Sequence, residues 1–222
     1  MKIYEPLDKE EFRKRIGESF LTVYLTLISI IQGVALVILA TETFKYINDP
    51  EITQHWCRFL VYSIISFFTL IVLSYQYTWF VGIFRWSPRF LDIFIPFFLG
   101  IFEISPMFYF TKPVVWWLFT GIFSLIGAGA LFHTKWQCKQ SMFGDNLDAF
   151  YKTKNILIFN IRTSIIAFFL CLLASSLLYF EVISSYWEYL FIPLLIICMC
   201  IMICLTEKFM KNLHKDFKLE RE

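Results

Sequence analysis

The chain has 222 residues, of which 58% are hydrophobic and 20% aromatic, and its formal net charge is +2. Soluble domains contain about 45–50% apolar residues, and a soluble core of this size could not bury 27 phenylalanines. The composition excludes a soluble globular domain and predicts an all-α, polytopic helical membrane protein. The small net charge says nothing about partners.

Six stretches are long enough to cross a bilayer, which takes roughly 20 predominantly apolar residues. They are 20–40, 59–84, 90–110, 114–132, 156–180 and 186–205. The third is the weakest, because it contains Asp92, Pro96, Glu103 and Pro106. Six spans are therefore expected, and four spans with two re-entrant or surface segments are the alternative.

The distribution of Lys and Arg predicts the orientation, because cytoplasmic loops are enriched in these residues. Sixteen lie in the two terminal segments and in the links that follow the second and fourth spans, against three on the opposite side and Arg162 inside a span. We expect the chain to lie in the inner membrane, with both termini in the cytoplasm. The seven tryptophans are expected at the two interfaces, with Trp116 and Trp117 on the outer side and Trp79 and Trp136 on the inner side.

Three short sequence segments of the first half have similar counterparts, in the same order, in the second half. The most similar pair is Ser63–Phe68 and Ser164–Phe169, and the offsets of the three pairs are 95, 101 and 97 residues. An odd number of spans per unit would insert the second unit upside down, which is a recurring design of transport proteins. The sequence therefore predicts a possible 3+3 inverted repeat.

The chain divides into four predicted regions. Near the N-terminus, Asp8 and Glu11 form a capping pattern that is typical of the start of a helix. The C-terminal tail combines a basic face with an apolar stripe. This tail suits an anionic membrane surface or a cytoplasmic partner. The contact residues are Lys208, Lys211, Lys215, Lys218, Phe209, Leu213 and Phe217. The regions are a cytoplasmic helix 1–19, repeats 20–110 and 111–205 (with a cytoplasmic loop 133–155), and the tail 206–222.

Polar side chains within apolar spans are costly and mark functional sites. The candidates for a permeation path or a buried charge are Asp92, Glu103, Arg162, Asn160, Gln32 and Gln76. Pro96 and Pro193 are candidate helix breaks, because they fall at corresponding positions of the two repeats and proline frees a backbone carbonyl. A small-residue stripe on the fifth span is expected to serve helix packing.

Enzyme chemistry is not expected. The chain has no nucleophile elbow, no zinc-protease motif and no phosphate-binding glycine loop. The spacing Cys198-x-Cys200-x-x-x-Cys204 has no His or acid beside it, so we expect neither a metal nor a cofactor. Nucleic-acid binding is not expected either.

The leading hypothesis is a protein that forms or gates a permeation path for an ion or small solute, as a homo-oligomer in the lipid bilayer. The alternative is a membrane sensor or effector that works with a cytoplasmic protein partner. In its size and in its high content of Phe, Ile and Lys, the chain resembles small membrane components of bacterial defence modules.

Overall fold

The computed structural model describes residues 9–47, 56–83, 90–140, 143, 146–182 and 187–216. No strand occurs within these ranges, and the all-α fold class is confirmed. Two 3-10 turns, Ser105–Tyr109 and Trp187–Leu190, follow the third helix and precede the last. The helices are α1 Lys9–Ile47, α2 Trp56–Ile83, α3 Phe90–Ile104, α4 Pro113–Gln137, α5 Leu147–Tyr179 and α6 Phe191–Asp216.

Five of the described helices are long and apolar enough to cross a membrane, and the chain is a multi-pass membrane protein. Their spans have mean hydropathy between 1.9 and 2.4. The third predicted span, 90–110, is instead a shorter apolar helix, Phe94–Tyr109. Its α-helical part ends at Ile104, since Pro106 has no N–H to continue the hydrogen-bond ladder.

The outer surface of the bundle is suited to lipid. Large apolar side chains such as Val37 and Phe169 are 65% and 60% exposed. Hydroxyls on the exposed face of α1 donate to the carbonyl four residues earlier, at 2.8 Å for Thr26, 2.9 Å for Ser29 and 2.8 Å for Thr41. These polar groups are satisfied within their own helix, as a solvent without hydrogen-bonding groups requires.

The helices form a closed ring. Helix α1 packs against α2 and α3, and α3 packs against α4. Helix α4 packs against α5, α5 against α6, and α6 returns to α2. The order around the ring is therefore α2–α1–α3–α4–α5–α6. Side chains from every helix can reach the middle of this ring.

This ring order does not support the predicted inverted repeat. A repeat would relate α1, α2 and α3 to α4, α5 and α6, so α1 and α4 should hold equivalent places. Instead α1 is the middle helix of the first half, whereas α5 is the middle helix of the second half. The matched segments are better explained by similar apolar composition, since many sequences of Phe, Ile and Ser suit a lipid-facing helix.

The α4–α5 pair is the most closely packed, and small residues make this possible. A Cβ added at Gly121 would lie 3.1 Å from the Cβ of Cys171. Ser175 donates to the Val114 carbonyl at 2.9 Å, which ties the two helices together. The predicted small-residue stripe on α5 therefore contributes to helix packing.

The loop between α4 and α5 is shorter than the predicted 133–155. Helix α4 continues to Gln137, and α5 begins at Leu147. The start of α5 is fixed by Asn146, whose side chain accepts a hydrogen bond from the Ala149 N–H at 3.0 Å. Helix α5 is about 50 Å long and so exceeds a hydrocarbon core of about 30 Å.

Two tryptophans predicted at the interface lie in the core instead. Trp116 and Trp117 are 1% and 0% exposed. The Trp116 ring stacks on Tyr62, with ring centroids 3.9 Å apart and planes within 1°. Trp79 is also buried, whereas Trp136 is 68% exposed, as a belt residue should be. Sequence position alone did not show which side of each helix its neighbours cover.

Both terminal segments continue their spans as helix. Helix α1 is unbroken from Lys9, and the predicted cap at Asp8 lies outside the described residues. Helix α6 continues to Asp216, with Lys208 and Lys211 exposed. Structural statements about the Lys215 side chain and about Phe217 and Lys218 also lie outside the described part.

The apolar stripe of the tail is covered by the chain itself. Phe209 and Leu213 are 8% and 7% exposed, and they pack in a cluster with Trp79 and Ile156. This corrects the prediction that these two side chains contact the membrane surface or a partner. The reason is that α5 extends beyond its apolar span and covers the face that the sequence alone left open.

Candidate functional site

A cavity of about 140 Å³ lies inside the helix ring, and all six helices contribute to its wall. Tyr24 comes from α1, Leu99 from α3 and Met199 from α6. The described part of the lining contains no Asp, Glu, Lys or Arg side chain. The described lining therefore offers no carboxylate, ammonium or guanidinium group to a molecule in the cavity.

The cavity wall is more apolar than its residue types suggest. The hydroxyls of Thr69, Ser124 and Thr134 donate to backbone carbonyls of their own helices, at 2.9, 3.0 and 2.9 Å. Their donors are therefore already used. His133 and Gln137 also line the wall and bond to each other at 2.6 Å between a ring nitrogen and the amide nitrogen.

Tyr77 is different, because its hydroxyl is buried without a hydrogen-bond partner among the described residues. Tyr77 is 8% exposed and lines the cavity. Its ring contacts Tyr24 edge to face, with centroids 6.1 Å apart. A buried hydroxyl without a partner loses the hydrogen bonds it would make in water. Tyr77 therefore contributes to the cavity wall, while its hydroxyl oxygen stays buried.

Four side chains from three helices form the amide cluster: Gln76, Trp79, Asn160 and Thr206. The Trp79 ring N–H donates to Gln76 Oε1 at 2.7 Å. The Asn160 amide donates to the same oxygen at 3.4 Å and to Thr206 Oγ1 at 3.3 Å. Gln76 donates to Thr206 Oγ1 at 3.4 Å. The cluster connects α2, α5 and α6, and Gln76 and Trp79 also line the cavity.

The glutamate cluster contains Gln32, Ser74 and Glu103 and connects α1, α2 and α3. Gln32 Nε2 donates to Glu103 Oε2 at 2.9 Å, and Ser74 donates to Gln32 Oε1 at 3.2 Å. Glu103 is 3% exposed, and its Oε1 has no hydrogen-bond partner among the described residues. Glu103 lies one turn beyond Leu99 on α3, so it is close to the cavity wall in sequence but is not part of it.

The two clusters contain four of the six residues predicted for a permeation path. Gln32 and Glu103 meet in one cluster, and Gln76 and Asn160 meet in the other. Asp92 lies in α3, but its side chain is outside the described part of the chain, so its role as a buried charge stays a prediction.

Arg162 is placed apart from both clusters. Its side chain is exposed on α5, and it forms no ion pair with any described residue. It lies about 22 Å along α5 from Leu147. Because α5 begins well before the predicted span, Arg162 is free to extend toward the headgroups along the outer surface.

The two candidate helix breaks are not equivalent. Pro96 is buried inside α3, where it removes a backbone donor from the helix. Pro193 is the third residue of α6 and is exposed. A proline in the first turn leaves the helix intact, because the N–H groups there have no intrahelical partner. Only Pro96 can act as an interruption.

Several residues of the site were not found from the sequence. Tyr77, Tyr24 and Thr206 are ordinary residues of apolar spans by sequence, and only the ring arrangement brings them to the cavity or to the amide cluster. Ser74 and Gln76 on α2 gave a signal, since two polar residues in one turn of an apolar span are unusual. Ser74 joins one cluster and Gln76 the other.

Comparisons of the chain with protein-family models, with curated proteins and with solved structures gave no match. The functional argument therefore rests on the cavity and the two clusters alone. Two properties carry it: a cavity whose described lining has no Asp, Glu, Lys or Arg side chain, and two sets of hydrogen bonds that connect its helices. Among the described residues no group of His, Cys, Asp or Glu could hold a metal ion.

Proposed function

We propose that the chain is a permeation protein of the inner membrane, with both termini in the cytoplasm and the central cavity as the solute site on its path. The observation that carries the proposal is the cavity to which all six helices contribute. Solute sites of membrane transporters typically lie within the bundle, where several helices meet.

The lining favours a small uncharged solute over an ion. A charge moved into hydrocarbon costs several kcal/mol unless it meets an opposite charge or water. The described lining offers hydroxyl, amide and imidazole groups but no formal charge. Glu103 is held by Gln32 outside the lining, where it supports the wall instead of attracting a cation.

The two clusters suit a path that opens and closes. Side-chain hydrogen bonds between membrane helices contribute about 0.6 kcal/mol on average. Breaking the bonds of one cluster would therefore cost only about 1–2 kcal/mol, which a bound solute can offset. Because all six helices of one chain contribute to the cavity wall, the expected homo-oligomer is not needed to form the cavity.

Two glycines of α4 supply a matched test. A Cβ added at Gly127 or at Gly129 would meet nothing within 4 Å. Gly127 lines the cavity, whereas Gly129 is exposed on the outer face. The Gly127→Leu variant places a side chain in the cavity, and Gly129→Leu makes the same chemical change toward lipid.

The assay is swelling of liposomes that contain the purified protein, followed by stopped-flow light scattering with glycerol and with 1,2-propanediol. Proton flux is followed in parallel with an internal pH dye. Wild type and Gly129→Leu are expected to speed swelling by a similar factor over protein-free liposomes. Gly127→Leu is expected to lose at least nine-tenths of the increase.

The proposal is overturned if no solute or proton flux exceeds that of protein-free liposomes, or if both leucine variants behave alike. A proton flux that disappears in Glu103→Gln, without solute flux, would replace the solute path by an ion path. All variants are compared after size-exclusion chromatography, so that only folded protein is assayed.

A second function, a sensor or effector with a cytoplasmic partner, is favoured by the exposed lysines at one end of the bundle. Lys139 follows α4, and Lys208 and Lys211 lie on the last turns of α6. Under this function Gly127→Leu would stay active in cells, whereas the double variant Lys208→Gln and Lys211→Gln would not. Truncating the tail is unsuitable, because it would also remove the buried Phe209 and Leu213.

A further inference from the structure

We infer that the cavity is open toward one side of the membrane only, and that the stacked rings of Tyr62 and Trp116 close it toward the other side. The inference describes how the path of the proposed function is closed, and to that extent it rests on that function. It is tested by chemical access to the cavity, which needs no flux.

The closed side is formed by the aromatic plug, which consists of Tyr62, Phe110, Trp116 and Trp117. Each of these side chains is at most 1% exposed. They belong to one buried cluster that also takes side chains from α1, α5, α6 and the turn that follows α3. Because this cluster collects side chains from the whole ring of helices, it fills the middle of the ring.

The stacked pair crosses the ring. Tyr62 lies on α2 and Trp116 on α4, and these two helices stand opposite each other in the ring order. Their ring centroids are 3.9 Å apart and their planes lie within 1°. Trp117 contacts Trp116 edge to face, with centroids 5.0 Å apart, and Phe110 contacts Tyr62 at 6.5 Å. A stack between opposite helices closes the path at its level, as apolar constrictions do in channels.

The same buried cluster forms the floor of the cavity. Ala167 on α5 and Leu195 on α6 belong to the cluster and also line the cavity. The lining of α4 begins beyond the plug, at Phe123, and extends to Gln137, the last residue of this helix. The cavity therefore runs from the plug toward the end of the bundle at which α4 ends, and the mouth is expected there.

The closed arrangement leaves one hydrogen bond unmade. Trp116 Nε1 is buried and has no hydrogen-bond partner among the described residues. A rotation of the ring that brings this N–H to water would supply the bond, and this gain would offset part of the stacking lost. Such a balance suits a gate that opens and closes around a fixed solute site.

The test measures access to a cysteine in the cavity wall. Gly127→Cys is introduced into a chain whose six native cysteines are replaced by alanine, because a Cβ at Gly127 meets nothing within 4 Å. The probe is a membrane-impermeant methanethiosulfonate with a trimethylammonium group, added to right-side-out or inside-out membrane vesicles.

A chain that keeps only Cys57 identifies the plug side, since Cys57 is exposed at the start of α2. The Gly127→Cys variant is expected to react at least tenfold faster from the opposite side. Adding Tyr62→Ala is expected to raise the rate from the plug side at least tenfold and to change the other rate less than twofold.

Two further variants make the result specific. Tyr62→Leu removes the stacked ring but fills part of its space, so it is expected to raise the rate from the plug side about threefold even if Tyr62→Ala does not fold. Phe169→Ala removes a ring that is 60% exposed on the outside of α5, and it is expected to change neither rate more than twofold.

The inference is overturned if the Gly127→Cys variant reacts equally from both sides or from neither, since the cavity would then have two mouths or none. It is also overturned if a folded Tyr62 variant leaves the rate from the plug side unchanged, or if Phe169→Ala raises that rate as much as Tyr62→Leu does.

The outcomes keep the two proposals apart. Access from one side without flux in liposomes would retain the plug and reject the permeation path. Flux of glycerol or 1,2-propanediol with equal access from both sides would retain the path and reject the plug as its closure.

Discussion

The glutamate cluster and the amide cluster both hold polar side chains between the helices, but they differ in charge and in the number of hydrogen bonds. Each connects three helices, and α2 takes part in both, through Ser74 in one and Gln76 in the other. The amide cluster contains only neutral groups, and four hydrogen bonds join its four side chains. The glutamate cluster contains a carboxyl group, and each cluster has one buried oxygen without a partner among the described residues, Glu103 Oε1 in one and Asn160 Oδ1 in the other.

The difference indicates a division of roles. Four hydrogen bonds hold the amide cluster together, against two in the glutamate cluster. A network with more hydrogen bonds between helices stabilises one arrangement of the helices more strongly. We therefore expect substitutions in the amide cluster to affect stability most. Substitutions in the glutamate cluster should instead affect the coupling between helices and the proposed permeation.

The largest effect is expected for Asn160→Ala. Asn160 is 0% exposed and donates to Gln76 and Thr206, so its loss removes two hydrogen bonds and leaves a gap between helices. The free energy of unfolding should fall by about 2 kcal/mol, as measured by unfolding in mixed micelles. Asn155→Ala is the control, since Asn155 lies exposed on the same helix. Equal destabilisation by the two variants would contradict a stabilising amide cluster.

A smaller effect is expected for the bond between Gln32 and Glu103, joined at 2.9 Å. In a double-mutant cycle with leucine at each position, the coupling energy should be about 1 kcal/mol. The matched cycle of Gln32 with Asn160 should give no coupling, because these residues belong to different clusters. If the Gln32–Glu103 pair is additive as well, the hydrogen bond contributes nothing to the fold.

The smallest effect is expected in a cysteine-labelling experiment, which tests which of the two clusters lies nearer the cytoplasm. In single-cysteine chains, Cys57 is exposed and Cys138 is buried near the end of α4. A membrane-impermeant maleimide added to intact cells should label Cys57 at once and Cys138 only after permeabilisation. Burial raises the pKa of the Cys138 thiol, and the smaller effect of Lys154 lowers it.

The pH dependence of this labelling follows from that raised pKa. Near neutral pH less of Cys138 is in the reactive thiolate form than for an ordinary thiol, so labelling should accelerate as the pH rises toward 9. Labelling of Cys138 from outside intact cells would reverse the predicted orientation and place the amide cluster in the outer half.

The fold class was predictable from the sequence because apolar runs of span length have few alternatives to membrane helices. Long helices such as α2 and α4 were located to within a few residues. The start of α5 was missed by nine residues, since polar residues there belong to a helix that leaves the membrane. The inverted repeat stays a prediction without support, because a match of apolar segments carries no information on which helices become neighbours.

The candidate site was predictable in part. Gln32, Gln76, Glu103 and Asn160 were identified because polar groups in hydrocarbon need partners, and each has one in the structure. The partners themselves, and the cavity residue Tyr77, were not predictable, because hydroxyl groups are common in membrane spans and most bond to their own helix.

The sequence by itself determined that this chain crosses a membrane and which polar side chains would have to be satisfied inside it. These properties follow from the transfer of individual residues from water to lipid, which depends on composition and span length. Only the tertiary structure decided the closed ring, the two clusters and the cavity. They depend on which faces of the helices meet, and several ring orders would satisfy the same apolar pattern.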